Sequence, residues 1–308
     1  MSTTCVSRAA ELTVLRVRVP GTTANVGSGF DCVGIALDIE DELELELKDG
    51  PGATTVVVDG EGAHQVPLDE THLVLRSLDV GLAEWGGRRH AMELRCTNRI
   101  PHSRGLGSSA SAIVAGLAFA WGIAHPGLEL DRAELTRVSS RIEGHPDNAG
   151  AAVWGGAILG WFDGDDVELV RLRVPATIGT RVWIPAFEVG TAGARSVLPD
   201  EVPRRDAVAQ AIASAALPLA LERRPDLLLA ATRDRLHQAY RAELMRPSYD
   251  LVLALRELGV PATISGAGPT VFAVGTQEQL APGDALVAEG FARHAPAIGG
   301  GVQLQRLG

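Results

Sequence analysis

Lysine is almost missing from this chain. Of 28 basic residues in 308, only Lys48 is a lysine, and the rest are arginines. A P-loop needs a lysine directly after its glycines, and a protein kinase needs one on a strand above the phosphates. Lys48 lies in "ELELELKDG", just before a turn, so neither clamp is available. No run of ~18 apolar residues occurs, and no transmembrane helix is predicted. The opening "MSTTCVSRAAELT" has no basic stretch followed by an apolar one; it reads as a short ragged arm, not a signal peptide. Cysteine is also scarce. Cys5, Cys32 and Cys96 follow no metal-ligand spacing and are odd in number, which predicts a reduced, cytoplasmic setting. Acidic residues outnumber basic ones, for a net charge of −10 and a pI of about 5.3. That balance argues against nucleic acid and anionic membrane surfaces as partners.

What is present is hydrophobic patterning for an α+β protein with two cores. Strands are predicted at 12–20, along the alternating "VGIALDIEDELELELKD" (33–49), at "ATTVVVDG" and at "AMELRCTNRIP". Helices are predicted at 72–87, at the nearly all-apolar 108–124, and at 131–144 with Asp131 as N-cap. Beyond the turn-rich "FDGDD" the pattern becomes β-rich with interleaved helices, including 204–222, 225–244 and 247–259. The predicted division is a first domain over 12–166 and a second over 167–308.

Four stretches carry polar chemistry. "GLGSS" (105–109) places Gly105 and Gly107 at the mouth of the apolar helix. Glycine lets the main chain approach a ligand closely, and the helix aims free N–H groups and its positive dipole end at the loop. This is an anion site by construction; the plainer alternative is a helix start with serine caps. "EGHPDN" crowds Glu143, His145, Asp147 and Asn148 into six residues before an apolar run read as a buried strand. Such a knot needs partners or a task, or is a turn with an Asx cap. "SGAGPTV" (265–271) is a second small-residue turn. "RVPGTTANVGSGFDCVGIALD" (18–38) holds a polar loop between two strands, its Thr22, Thr23, Asn25, Ser28 and Asp31 suited to a small polar ligand bearing an amino group.

Together these stretches resemble the GHMP kinases. The family's P-x-x-x-G-L-G-S-S-A loop is matched by Pro101 to Ala110, and its C-terminal glycine loop by "SGAGPTV". The two stretches at 19–38 and 143–156, with "TAGARSVLP" (191–199) and "HQAYR" (237–241), resemble the branch that phosphorylates homoserine. The motifs run in family order from about residue 14 to 306.

The resemblance implies a two-domain fold: an N-terminal ribosomal-protein-S5-like domain and a C-terminal ferredoxin-like domain, with the active site between them. It implies ATP and Mg²⁺, L-homoserine as acceptor, O-phospho-L-homoserine for threonine synthesis as product, and a homodimer. A GHMP kinase for another small alcohol, or a catalytically silent relative, is the alternative. By matched position, Pro101, Arg104, Gly105, Leu106, Gly107, Ser108 and Ser109 form the nucleotide loop. Ser109 and Glu143 are the implied metal ligands, with Glu134 a second candidate. Asn25, Asp31, His145, Asp147, Arg195, Arg241 and Gly266 are implied to face the substrate, the two arginines its carboxylate and Asp31 its ammonium. Ser109, Asn148 and Thr191 make up the implied catalytic group. Relatives carry an aspartate base where this chain has Asn148, and asparagine takes no proton at neutral pH. Positioning and charge stabilisation then carry the transfer, with the neighbouring Asp147 the alternative base.

Overall fold

The computed structural model describes residues 13–48 and 54–307, without the side chains of Thr191 and Ala192. The amino-terminal arm and Cys5 lie outside the described residues. β1 (Val14–Asn25) and β2 (Gly29–Lys48) form a long antiparallel hairpin. In β2, Leu43 and Leu45 point into the core. The intervening glutamates face out, where Glu42 and Glu44 pair with Arg18 and Arg16 of β1 at 2.7 and 2.6 Å. Period-two alternation therefore sets the register.

β3 (Thr55–Gly60), α1 (Leu73–Trp85) and β4 (Ala91–Asn98) follow, then α2 (Ser108–Ala124), α3 (Arg132–Glu143) and α4 (Pro146–Trp154). β5 (Ala157–Asp163) and β6 (Asp166–Leu172) close the first sheet, in which the order β11-β1-β2-β4-β3 is joined by β5 on β2 and β6 on β5. α2 is buried on all sides between this sheet and α1, as its all-round apolar sequence requires.

The second sheet, ordered β10-β7-β9-β8, contains β7 (Ile178–Pro185), β8 (Ala262–Ile264), β9 (Val271–Thr276) and β10 (Phe291–His294). Around it stand α5 (Thr191–Ser196), α6 (Arg204–Glu222), α7 (Leu228–Ala231), α8 (Gln238–Arg241), α9 (Arg246–Glu257) and α10 (Gln277–Asp284). β11 (Gln303–Leu307) returns to pair with β1. One buried cluster joins the halves, uniting Val26, Ile35 and Leu106 with Leu217 and Phe272.

β6, which begins at Asp166, belongs to the first sheet, as does β11. The structure departs from the sequence-based expectations in three places. The expected polar loop, between strands ending at 20 and starting at 33, is mostly strand; β1 runs to Asn25 and only Val26–Ser28 turn, with positive φ at Asn25, Val26 and Gly27. The apolar run after "EGHPDN" is helix, not strand. Pro146 at its first turn and a run of alanines favour that outcome. The expected helix over 225–244 breaks into α7, an irregular stretch and α8. There the Asp234 carboxylate accepts from the backbone N–H groups of Leu236, His237 and Gln238 at 3.0, 3.0 and 2.7 Å, a local alternative to helical bonding.

Candidate active site

The loop before α2 ends on Gly107, whose φ is +71°. A Cβ there would stand 2.0 Å from the Thr22 hydroxyl, so only glycine fits. No side chain caps α2. The first N–H groups of a 17-residue helix are thus left for a ligand in the cleft that Gly105, Gly107, Ser108 and Ser109 line.

Across the cleft stands the end of α3. The Ser109 hydroxyl donates to Glu143 Oε1 at 2.8 Å. Burial raises the Glu143 pKa, against the pull of that hydrogen bond. Glu134 lies nine residues earlier on the same helix, about 13 Å away along its axis, and is paired with Arg137 at 2.7 Å. Of the two candidate carboxylates, only Glu143 meets Ser109. A hydroxyl and a carboxylate are hard oxygen donors, and two protein ligands completed by phosphates suit Mg²⁺.

The first turn of α4 forms the floor. Asp147 is 1% exposed; its Oδ1 lies 2.6 Å from His145 Nδ1 and accepts from the Asn148 N–H at 2.7 Å. Burial opposes charging of His145, but the bond to Asp147 and the charges of Asp147 and Glu143 outweigh it and raise its pKa. The Thr22 hydroxyl donates to Asn148 Oδ1 at 2.7 Å, leaving the Asn148 Nδ2 group as the donor on offer. Asp31 completes this wall, with ligand atoms of Asp31, His145 and Asp147 all within 4.8 Å of one another.

Arg195 of α5 pairs with Asp31 at 3.1 Å. Arg241 of α8 is 2% exposed. Its Nε donates to the Ala194 carbonyl at 2.8 Å and its Nη1 to the Gly266 carbonyl at 3.3 Å. Among the described residues no carboxylate forms an ion pair with it, although it lines the cleft. Burial, and then the charge of Arg195, lower its pKa.

The second glycine turn seals this side. The Ser265 hydroxyl donates to the Gly105 carbonyl at 2.6 Å, and the Gly266 N–H to the Ala24 carbonyl at 3.0 Å.

The structure thus gathers Asn25, Asp31, Gly105, Gly107, Ser108, Ser109, Glu143, His145, Asp147, Asn148, Arg195, Arg241 and Gly266 around one cleft. Three expected residues lie off this lining, and the side chain of a fourth is not described. Pro101 does not line it. The Arg104 guanidinium donates to the carbonyls of Pro185 and Ala186 at 3.0 and 2.8 Å and pairs with Glu188 at 2.9 Å, so it anchors the loop after β7 rather than facing phosphates. The Leu106 side chain is 1% exposed, in the shared core. Thr191 begins α5, and its side chain lies outside the described residues. Asn25 lines the cleft, but its amide is largely spent. Nδ2 donates to the Gly266 carbonyl at 2.8 Å and Oδ1 accepts from the Asp31 N–H at 3.0 Å.

A second hollow, of about 210 Å³, meets the cleft at Ser103, Ser108 and Ser109. Val19, Leu43, Val66 and Leu73 make its walls apolar, and Asp41 and Asn98 add polar groups. Asp41 accepts from the N–H groups of Arg99 and Ile100 at 2.6 and 2.9 Å, and burial pushes its pKa up to about 6. Its lining is drawn from five separate segments. Cys32 and Cys96 are free thiols, and no helix among the described residues is long and apolar enough to cross a membrane.

Comparison with known proteins agrees with this geometry. Residues 72–156 match the family model of the GHMP kinases N-terminal domain, and 216–283 that of the GHMP kinases C-terminal domain. A homoserine kinase of Cutibacterium acnes is 49% identical over 94% of this chain and 98% of its own length. A homoserine kinase of Streptomyces avermitilis is 44% identical over 90% of this chain and 91% of its own. The crystal structure of homoserine kinase from Cytophaga hutchinsonii superposes with a TM-score of 0.80 at 27% identity, covering 97% of this chain and all of that one. Mevalonate diphosphate decarboxylase from Staphylococcus aureus shares the fold at a TM-score of 0.67 and 16% identity, over 96% of this chain and 98% of that one.

Proposed function

The chain belongs to the GHMP kinases, in their homoserine kinase branch, and from that membership we propose how its cleft works. It is an ATP-dependent kinase that transfers the γ-phosphoryl group to the hydroxyl of L-homoserine, giving O-phospho-L-homoserine. The observation that carries the choice of acceptor is Arg241, a buried guanidinium that forms no ion pair with a carboxylate among the described residues. A buried charge left unpaired costs several kcal/mol. The carboxylate of an amino acid removes that cost on binding. Arg195 supplies the second fork, and Asp31 then turns from Arg195 to the substrate ammonium, so the zwitterion enters an existing ion pair.

The triphosphate lies over the open N-terminus of α2, cradled by backbone from Gly105 to Ser109. The base occupies the apolar hollow beyond Ser108. Ser109 and Glu143 are the residues that hold Mg²⁺, which when bound neutralises charge on the phosphates. His145 and Asp147 orient the homoserine hydroxyl, and the Asn148 amide donates toward it or toward the transferring oxygens. No asparagine takes the proton, and a loose phosphoryl-transfer transition state makes little demand for a base. The free thiols at Cys32 and Cys96 support a reducing, cytoplasmic setting.

Coupled ADP release with homoserine, mevalonate and shikimate tests the reading. Homoserine alone should be turned over efficiently. Comparable turnover of mevalonate, which has a carboxylate but no ammonium group, would remove Asp31 from substrate choice.

A further inference from the structure

His237 is a fully buried histidine for which the transfer chemistry has no task. It is 0% exposed, at the residue before α8. Its Nε2 lies 3.0 Å from the Gly27 carbonyl and 3.4 Å from Asp234 Oδ1. Both are acceptors, so Nε2 carries the hydrogen. Its Nδ1 lies 3.2 Å from Arg241 Nη1. A guanidinium only donates, so Nδ1 is bare and accepts. Burial, and the charge of Arg241, lower the pKa of the ring against the pull of Asp234, the Gly27 carbonyl and Asp31. The Phe30 ring stacks on the imidazole at 4.9 Å and lies 5.6 Å from Arg241 Cζ, flanking both groups.

These bonds decide which edge of Arg241 is left over. Nε is spent on the Ala194 carbonyl, and Nη1 on His237 and the Gly266 carbonyl. Only Nη2 remains to meet a ligand. The bond to Ala194 also ties Arg241 to α5, which carries Arg195. We propose that His237 is a positioning residue for substrate recognition: as a neutral acceptor it holds Arg241 by one edge, so that the Nη2 edge is presented to the carboxylate of the amino acid. A flexible arginine pays rotamer entropy when it is ordered on binding, and an anchored one has lost that entropy already. The inference rests on the reading that Arg241 binds the substrate carboxylate.

Steady-state kinetics of His237→Leu, His237→Asn, Arg241→Leu and the Leu/Leu double variant test it. Asparagine keeps an acceptor oxygen near the place of Nδ1; leucine does not. His237→Leu should raise the homoserine KM about tenfold, the scale of one hydrogen bond to a charged group, with the ATP KM unchanged. His237→Asn should recover most of the loss. In the Arg241→Leu background His237→Leu should add nothing further, because the two residues act as one unit. Equal effects on the ATP and homoserine KM, an asparagine variant as poor as leucine, or multiplying effects in the double variant would each refute the positioning role. If Arg241→Leu itself leaves the homoserine KM unchanged, the carboxylate reading of Arg241 has failed instead. The wild-type protein gives a test that needs no variant. In ¹⁵N-histidine spectra His237 should show a bare Nδ1 and a protonated Nε2 from pH 6 to 8, and the opposite tautomer or an imidazolium there would overturn the proposal.

Discussion

Gly34 of β2 has an ordinary negative φ, so its need for glycine is purely one of space. A Cβ added there would stand 2.0 Å from the carbonyl oxygen of Asp147 and 2.7 Å from its carbonyl carbon. These are backbone atoms in the first turn of α4, and they cannot swing aside as a flexible side chain would. Either β2 or α4 must retreat by more than about 1 Å, and a displacement of that size near the chemistry can cost about 10² in rate. Retreat of α4 moves Asp147 and Asn148 together and pulls on the His145 and Thr22 bonds that fix them. Gly34→Ala is therefore expected to lower kcat about 100-fold. Its stability should fall by about 1–3 kcal/mol, as is usual for overpacking. Gly179→Ala is the matched control. There a Cβ meets nothing nearer than 3.6 Å, and turnover should stay native. The assay is coupled ADP release under saturating ATP and homoserine, with thermal unfolding of each variant alongside. A folded Gly34→Ala enzyme with near-native kcat would refute the claim that the first turn of α4 must sit where it does for transfer.

Ser109→Ala removes the hydroxyl that donates to Glu143 at the mouth of α2, and should cost roughly 10²–10³ in kcat if the loop cradles the phosphates; native turnover would separate this loop from the phosphates. Asp147→Asn keeps the shape and removes the charge. An orienting role predicts a pH-independent loss shared by kcat and KM, whereas a kcat loss that shrinks as pH rises would make Asp147 the base. The same variant should lower the His145 pKa, followed by its imidazole NMR shifts, because burial then acts without the opposing charge of Asp147. The raised His145 pKa contributes stability that is fully present below its unfolded value of about 6.5 and is lost as pH rises through the folded value. The stability deficit of Asp147→Asn, from thermal midpoints across pH 5–9, should accordingly be largest on the acid side and narrow toward alkaline pH.

Features written into contiguous residues were legible in the sequence. "GLGSS" before an apolar helix implies an anion cradle because glycine conformations and the helix dipole belong to neighbouring residues, and the structure shows that helix with its N-terminus open. The alternating glutamates and leucines of β2 and the Asp131 cap of α3 were legible for the same reason. Periodicity misled where it was weak. The small apolar residues after Asn148 suit a buried strand or a buried helix equally, and α4 was settled by packing against β2 and β5. The helix expected over 225–244 lost to the Asp234 side chain, whose bonds to three successive N–H groups no periodic pattern encodes.

The sequence by itself determined the family motifs, their order, the absence of a lysine clamp and nearly all the residues that line the cleft. Only the tertiary structure decided which of them meet. It brought Glu143, and not Glu134, to Ser109 by setting the end of α3 against the start of α2. It took Arg104 out of the cleft to hold the loop after β7. It put Thr22 against Asn148, 126 positions along the chain, and His237 against Gly27, 210 positions away. A side chain's role depends on which partner satisfies its polar atoms once water is gone. Those partners come from segments far apart in sequence, so the assignment exists only when the sheets and helices have packed.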